Sequence, residues 1–193
     1  MTNLLLPPVL VLARLRFWLA IVALAVVSAA SAQTSPVRNI DVVYENATYV
    51  VTAEMYAPVS QDVVWEVLTD FANMQKWVPN VVESRIVKPG EKQLTVEQHG
   101  NAKFAGLSFG YTSQREMVLN PQQTIQATQV KGSLRKMQSL MTLSPEAGGT
   151  KMQYRLEVVP NFLAATVMSP DFLKHEINEQ FTAIVGEMLK RKK

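Results

Sequence analysis

From Thr48 onward apolar and polar side chains alternate: Tyr49, Val51, Ala53 and Met55 share one parity, while Thr52 and Glu54 fall on the other. A period of two marks a β-strand with one buried face, and Pro58 ends it. The period then lengthens. Val64, Leu68 and Phe71 recur at helical spacing behind Ser60, whose hydroxyl is suited to cap a helix over residues 61–69. A further helical turn over residues 70–77 is stopped by Pro79. Strand-like segments return at 81–87, 93–99, 107–119, 124–130, 134–143 and 151–159, separated by turn-forming clusters such as Pro89-Gly90, Gly100 to Gly106 and Lys131-Gly132. A last helix starts at Ser169-Pro170, a cap followed by a residue suited to the first helical position. Leu173, Ile177, Phe181, Ile184 and Met188 then line one face of it. The expected class is α+β: a strand, two short helices, a six-stranded antiparallel run, and a long C-terminal helix on a curved sheet. Such a sheet leaves space between its concave face and the helix.

The first 32 residues follow a different pattern. Arg14 and Arg16 precede an unbroken apolar run from Phe17 to Val27, too short for the ~20 residues of a membrane span. Ala30-Ser31-Ala32 matches the small-residue signal of a signal peptidase, so cleavage after Ala32 and delivery to a bacterial periplasm are expected. An uncleaved anchor would need the earlier block Leu4 to Leu12, but Pro7 and Pro8 interrupt it. Residues 33–47, containing Ser35-Pro36, are expected as a flexible segment, and 48–190 as the folded domain.

Charge narrows the partners. The chain carries a formal +3, and removing Arg14 and Arg16 leaves its basic and acidic residues nearly balanced. A nucleic-acid partner is not expected, because phosphate binding needs a basic surplus on one face. The run Lys190-Arg191-Lys192-Lys193 is read as a solvated helix end complementing the helix dipole. With no cysteine there are no disulfides or thiolate metal sites, and no cofactor or metal site is expected.

Catalytic constellations are sparse. Of the 2 histidines, His99 is expected exposed at a strand end and His175 solvated on the last helix. Neither stands in a metalloprotease motif, and no nucleophile elbow is present. Strand parity is more informative. If no bulge intervenes, Leu107, Phe109, Tyr111, Ser113, Arg115, Met117 and Leu119 share the inward face of one strand, and Met152, Tyr154, Leu156 and Val158 that of another. An inward Arg115 needs a carboxylate or an anionic or carbonyl group on a ligand; a bulge would instead turn it outward toward a residue such as Glu97. Met137 and Met141 on a neighbouring strand, and Phe181 on the last helix, complete the inner candidates. Two apolar stretches, 101–106 and 161–168, fall where connections are normally polar, making Phe104, Phe162, Leu163 and Val167 candidate gates.

The run Ala57-Pro58-Val59-Ser60-Gln61-Asp62-Val63-Val64-Trp65-Glu66-Val67-Leu68-Thr69-Asp70-Phe71, followed by Trp77-Val78-Pro79-Asn80-Val81, resembles the opening of START-related helix-grip domains of the polyketide cyclase/dehydrase and coenzyme-Q-binding types. The resemblance implies a curved antiparallel sheet wrapped around the C-terminal helix, with a cavity for a lipid, sterol, quinone or polyketide-like molecule. It carries over no catalytic residue. The reading that follows is a periplasmic binding or carrier protein for a small hydrophobic ligand, with transient membrane contact. Phe104, Phe109, Tyr111, Arg115, Met137, Met141, Tyr154, Phe162 and Phe181 are the candidate contacts. A cyclase or dehydratase, or an interaction module with a filled core, are the alternatives. Ligand and oligomeric state are left open.

Overall fold

A computed structural model describes residues 35–192. The signal peptide and its cleavage after Ala32 lie outside the described residues. The chain runs β1 (Val37–Glu45), β2 (Thr48–Ala57), α1 (Gln61–Thr69), a 3₁₀ helix (Phe71–Lys76), and then six strands. These are β3 (Val81–Lys88), β4 (Gln93–Phe104), β5 (Leu107–Asn120), β6 (Thr124–Gly132), β7 (Leu134–Glu146) and β8 (Gly149–Pro160). A short 3₁₀ turn, Ala164–Thr166, leads into α2 (Pro170–Lys190). The strands form one antiparallel sheet in the order β1-β2-β8-β7-β6-β5-β4-β3. Among the described residues no helix is long and apolar enough to cross a membrane.

Both helices begin where the side chains require. Ser60 Oγ accepts from the Val63 amide and Ser169 Oγ from the Phe172 amide, satisfying donors that the first helical turn leaves free. The stripe Leu173, Ile177, Phe181, Ile184 and Met188 is buried, together with Val64, Leu68 and Phe71 from the first helical pair. The helix-grip arrangement of curved sheet and long helix is therefore present. Its curvature has local causes. Ladder registers shift between Val81 and Glu83, Ile86 and Lys88, and Leu134 and Lys136. Each shift inserts a residue that increases the local twist and bends the strand.

Three expectations change. Part of the segment expected to be flexible, residues 33–47, forms β1, an edge strand that pairs with β2 through a two-residue turn at Asn46 and Ala47. Both turn residues have positive φ, 50° and 60°, the handedness that matches strand twist in tight hairpins. The second correction is that residues 100–104 are not a loop. β4 continues to Phe104, and only Ala105 and Gly106 turn the chain, again with positive φ. Gly100 occupies mid-strand because Tyr111, its cross-strand partner, lies over it: a Cβ there would overlap the Asn80 carbonyl and stand 2.5 Å from the Tyr111 ring. His99, expected at a strand end, is accordingly mid-strand, 3.3 Å from Glu97.

The third correction concerns the basic C-terminus. Arg191 is a clamp rather than a solvated charge: Nη2 donates to Asp70 at 2.8 Å, Nη1 to Glu66 at 3.2 Å and Nε to Glu187 at 2.9 Å. Its guanidinium also lies 4.8 Å from the centre of the Trp77 ring. The end of α2 is thereby fastened to the end of α1. Burial pushes the Asp70 carboxyl up, but the Asn73 amide and Arg191 outweigh it and hold it below the ordinary value.

Two outcomes follow. Gly100→Ala should destabilise the domain by about 3 kcal/mol, read by denaturant titration, because the added methyl displaces Tyr111 or Asn80. Arg191→Ala should cost about 1–2 kcal/mol near neutral pH. A carboxyl held low in the folded state stabilises above its unfolded pKa and loses that contribution as pH falls through the folded value. The gap between Arg191→Ala and wild type should therefore close in acid, as thermal melts across pH would record.

Candidate functional site

The face of β5 that parity directs inward does turn inward. Ser113, Met117 and Leu119 are buried and Phe109, Tyr111 and Arg115 half-buried, whereas Ser108, Thr112, Glu116 and Val118 between them are exposed. A register shift occurs beside Arg115, where Gln114 faces Lys131 and Arg115 faces Gln129. The extra residue is Val130 on β6, so β5 keeps its alternation and Arg115 stays inside. Glu97, its proposed outward partner, instead binds Arg85, with Nη2 to Oε1 at 2.5 Å.

Between these strands and α2 lies a cavity of about 640 Å³, within the range of small-molecule sites. Phe109, Tyr111, Arg115, Met137, Met141, Tyr154 and Phe181 all line it. Phe104 and Phe162 do not. Phe104 packs its ring edge-on against Phe172, centroids 5.7 Å apart, and Phe162 stands 84% exposed beyond the rim. Leu163 and Val167 belong to the wall, with Leu163 still 74% exposed. The 161–168 segment borders the cavity together with Ser133 and Leu134, and Pro160 pairs with Leu134 beside them. A shallower depression of about 300 Å³ crosses the outer face at Thr52, Leu140 and Arg155.

Arg115 is held by a relay of hydrogen bonds. One of its Nη atoms donates to Gln98 Oε1, Gln98 Nε2 donates to Ser84 Oγ at 3.1 Å, and Ser84 donates to the Phe71 carbonyl at 2.5 Å. No ion pair among the described residues includes Arg115. Desolvation draws its pKa down, countered by the phenols of Tyr154 and Tyr111. Burial pushes the Tyr111 phenol up to about 12, so it remains a neutral donor, here to the Asn80 carbonyl at 3.2 Å. Burial likewise raises Tyr154, with the Ser139 hydroxyl and Arg115 opposing.

Sequence reasoning missed several polar residues of the wall, among them Gln98, Gln129, Asn80 and Glu176. Asn80 Nδ2 donates to Glu176 Oε2 at 2.5 Å, and both side chains are buried. Glu176 was legible in principle, since it lies three residues after Leu173 on the buried side of α2; Asn80 carried no signal beyond a Pro-Asn turn. His99 is absent from the wall, and His175 is exposed, its ring 5.5 Å from Phe104. His175, Glu176 and Glu179 offer ligand atoms within 4.8 Å of one another, but Glu176 borders the cavity and is already engaged by Asn80.

Six buried side-chain polar atoms among the described residues have no hydrogen-bond partner. Five of them, Asn80 Oδ1, Ser113 Oγ, Arg115 Nε, Gln129 Oε1 and Glu176 Oε1, belong to residues lining the cavity. Folded proteins pair nearly all such groups with protein or ordered water, so these five, which have no protein partner, give the cavity a polar lining open to water or to a bound molecule.

Comparison with known proteins agrees with this architecture. The chain is similar in fold to the Zhui aromatase/cyclase of a Streptomyces species at TM-score 0.62 and 21% identity, over 75% of this chain and 95% of that one. It is similar to a START superfamily protein from Mycobacterium smegmatis at TM-score 0.61 and 14% identity, covering 73% and 97%. It is also similar to a STAR-related lipid transfer protein from Xanthomonas axonopodis at 0.58 and 13%, covering 78% and 98%. At these identities the likeness concerns the fold. No curated protein sequence matches the chain. Residues 57–185 match the model of a family described as polyketide cyclase/dehydrase and lipid transport, and the chain belongs to that family.

Proposed function

We propose that the domain binds or carries a small hydrophobic molecule in the cavity, and that it does so in a bacterial periplasm after removal of residues 1–32. The observation that carries this reading is the wall itself: mostly apolar side chains around about 640 Å³, interrupted by five polar atoms that lack partners. Burying a ligand's apolar surface supplies affinity at about 25 cal/mol per Å². The orphaned polar atoms supply orientation, since a ligand oxygen that meets Arg115 Nε relieves a desolvated donor. The open volume leaves no support for the filled-core alternative. The descriptions of the similar proteins, lipid transfer among them, point the same way.

Contact with a membrane is the natural route for such a ligand. Phe162 and Leu163 project from the rim at 84% and 74% exposure, where they cost solubility and add nothing to the core. Lys131 near the end of β6 and Arg135 and Lys136 at the start of β7, all exposed, flank the turn between these strands, with Lys136 paired to Val159. Apolar side chains beside cations suit an anionic lipid surface.

A cyclase-type enzyme is the second reading, favoured by Tyr111, Arg115 and Tyr154 bordering one space, with a similar fold in an aromatase/cyclase. His99 takes no part in it, because it lies off the wall.

Native mass spectrometry and organic extraction of the mature protein should reveal a copurifying apolar molecule. Recovery of that molecule unchanged after incubation supports a carrier, its conversion supports the enzyme, and an empty cavity sinks both. Arg115→Ala should weaken retention of an oxygen-bearing ligand about tenfold or more, the loss of one charge-assisted hydrogen bond; unaltered affinity in a folded variant would remove Arg115 from the site. Replacing both Phe162 and Leu163 by serine should lower cosedimentation with vesicles containing phosphatidylglycerol while leaving the thermal melt of the domain within about 0.5 kcal/mol of wild type.

A further inference from the structure

The polar atoms of the wall differ in kind. Arg115 Nε is a donor, whereas Asn80 Oδ1 and Glu176 Oε1 are acceptors on two side chains joined by a hydrogen bond, Asn80 Nδ2 to Glu176 Oε2 at 2.5 Å. This bond also fixes the amide: exchanging its nitrogen and oxygen would set Oδ1 against a carboxylate oxygen. Both side chains are more than nine-tenths buried, at 3% and 6% exposure, and both line the cavity.

Apart from one backbone amide, that of Lys103, this corner has no further donor among the described residues. Tyr111 spends its hydroxyl hydrogen on the Asn80 backbone carbonyl, which the Asn101 amide also reaches at 3.0 Å. On α2, Glu179 adds negative charge and His175 is exposed; on β4, only the Lys103 amide approaches the carboxylate. Burial raises the Glu176 carboxyl, Glu179 adds to the rise, and the Asn80 amide, His175 and the Lys103 amide oppose it. As a carboxylate Glu176 has no proton to give, and Asn80 Oδ1 is then an acceptor without a donor.

We propose that the Asn80–Glu176 corner is a subsite for a hydrogen-bond donor, so that the cavity selects an amphiphile carrying a hydroxyl or a protonated amine. The inference rests on the ligand-binding reading above and gives that ligand a polarity. Its donor head seats between Asn80 Oδ1 and Glu176 Oε1, its chain follows the apolar wall, and an oxygen elsewhere on it meets Arg115. A simple hydrocarbon, or an ether that only accepts, leaves both acceptor atoms desolvated and unmatched. A site built around a hydrogen bond discriminates strongly against the analogue that lacks it.

The test uses the full chain and a neutral fluorescent probe, N-phenyl-1-naphthylamine, displaced by molecules of equal chain length. In wild type, 1-dodecanol and dodecylamine should displace the probe at concentrations about tenfold lower than dodecyl methyl ether. In Glu176→Leu that ratio should fall to within about twofold. Equal displacement by alcohol and ether in the wild-type chain overturns the donor subsite alone, and needs no variant to fold. A ratio unchanged in a folded Glu176→Leu also overturns it. Failure of the probe to bind at all overturns the ligand-binding reading and this inference with it.

Discussion

An α-helix with its side chains is about 10–12 Å across, while eight strands spaced about 4.8 Å apart cover roughly 35 Å. α2 therefore cannot fill the concave side of this sheet. It packs on β1 and β2 toward one edge and on β4 toward the other, leaving the inner faces of β5 to β7 to border open space. Leu68 and Phe71, from α1 and the 3₁₀ helix that follows it, narrow the space without closing it. Bulges in β3, β6 and β7 keep the sheet curved, and Arg191 ties the far end of α2 to α1. The cavity is thus a geometric consequence of one long helix gripping too wide a sheet.

That space changes what polar groups inside it mean. An orphaned buried donor or acceptor costs about 1–3 kcal/mol, and a domain is stable by only about 5–15 kcal/mol. Five such atoms around one cavity would be a heavy burden if nothing met them. They are also held in place. The relay from Phe71 through Ser84 and Gln98 fixes Arg115, while Glu176 and Asn80 fix each other. Side chains fastened from behind and free in front lose little entropy when a ligand arrives, which favours selectivity over adaptability.

The parts of this architecture that repeat were legible in the sequence. The stripe from Leu173 to Met188, the cap at Ser60 and the inward parity of β5 each express a period over several residues. Less legible were features decided by a partner distant along the chain. β1 reads weakly because it is an edge strand, its side chains mostly exposed and only Val37 buried. Gly100 resembles a turn until Tyr111 is placed over it, and Arg191 resembles a basic tail until Asp70 and Trp77 come within reach. For Arg115 the alternatives turned on which strand held the bulge. A bulge on β6 leaves β5 in phase, and no periodicity within β5 encodes what its neighbour does.

The wall and the rim invert the ordinary arrangement of a folded surface, and they do so around one opening. Inside, a guanidinium and a carboxylate lie where side chains are normally apolar; outside, Phe162 and Leu163 stand in solvent where side chains are normally polar. Either inversion alone has a local explanation, a relay of hydrogen bonds in one case and a loop tip in the other. Together they suit the proposed transfer of an amphiphile between a lipid surface and the cavity. An amphiphile leaving a lipid surface needs apolar contact at the mouth before its head is desolvated, and then a polar partner within once its chain is buried. Leu163 belongs to both rim and wall, so the two requirements meet at a single side chain.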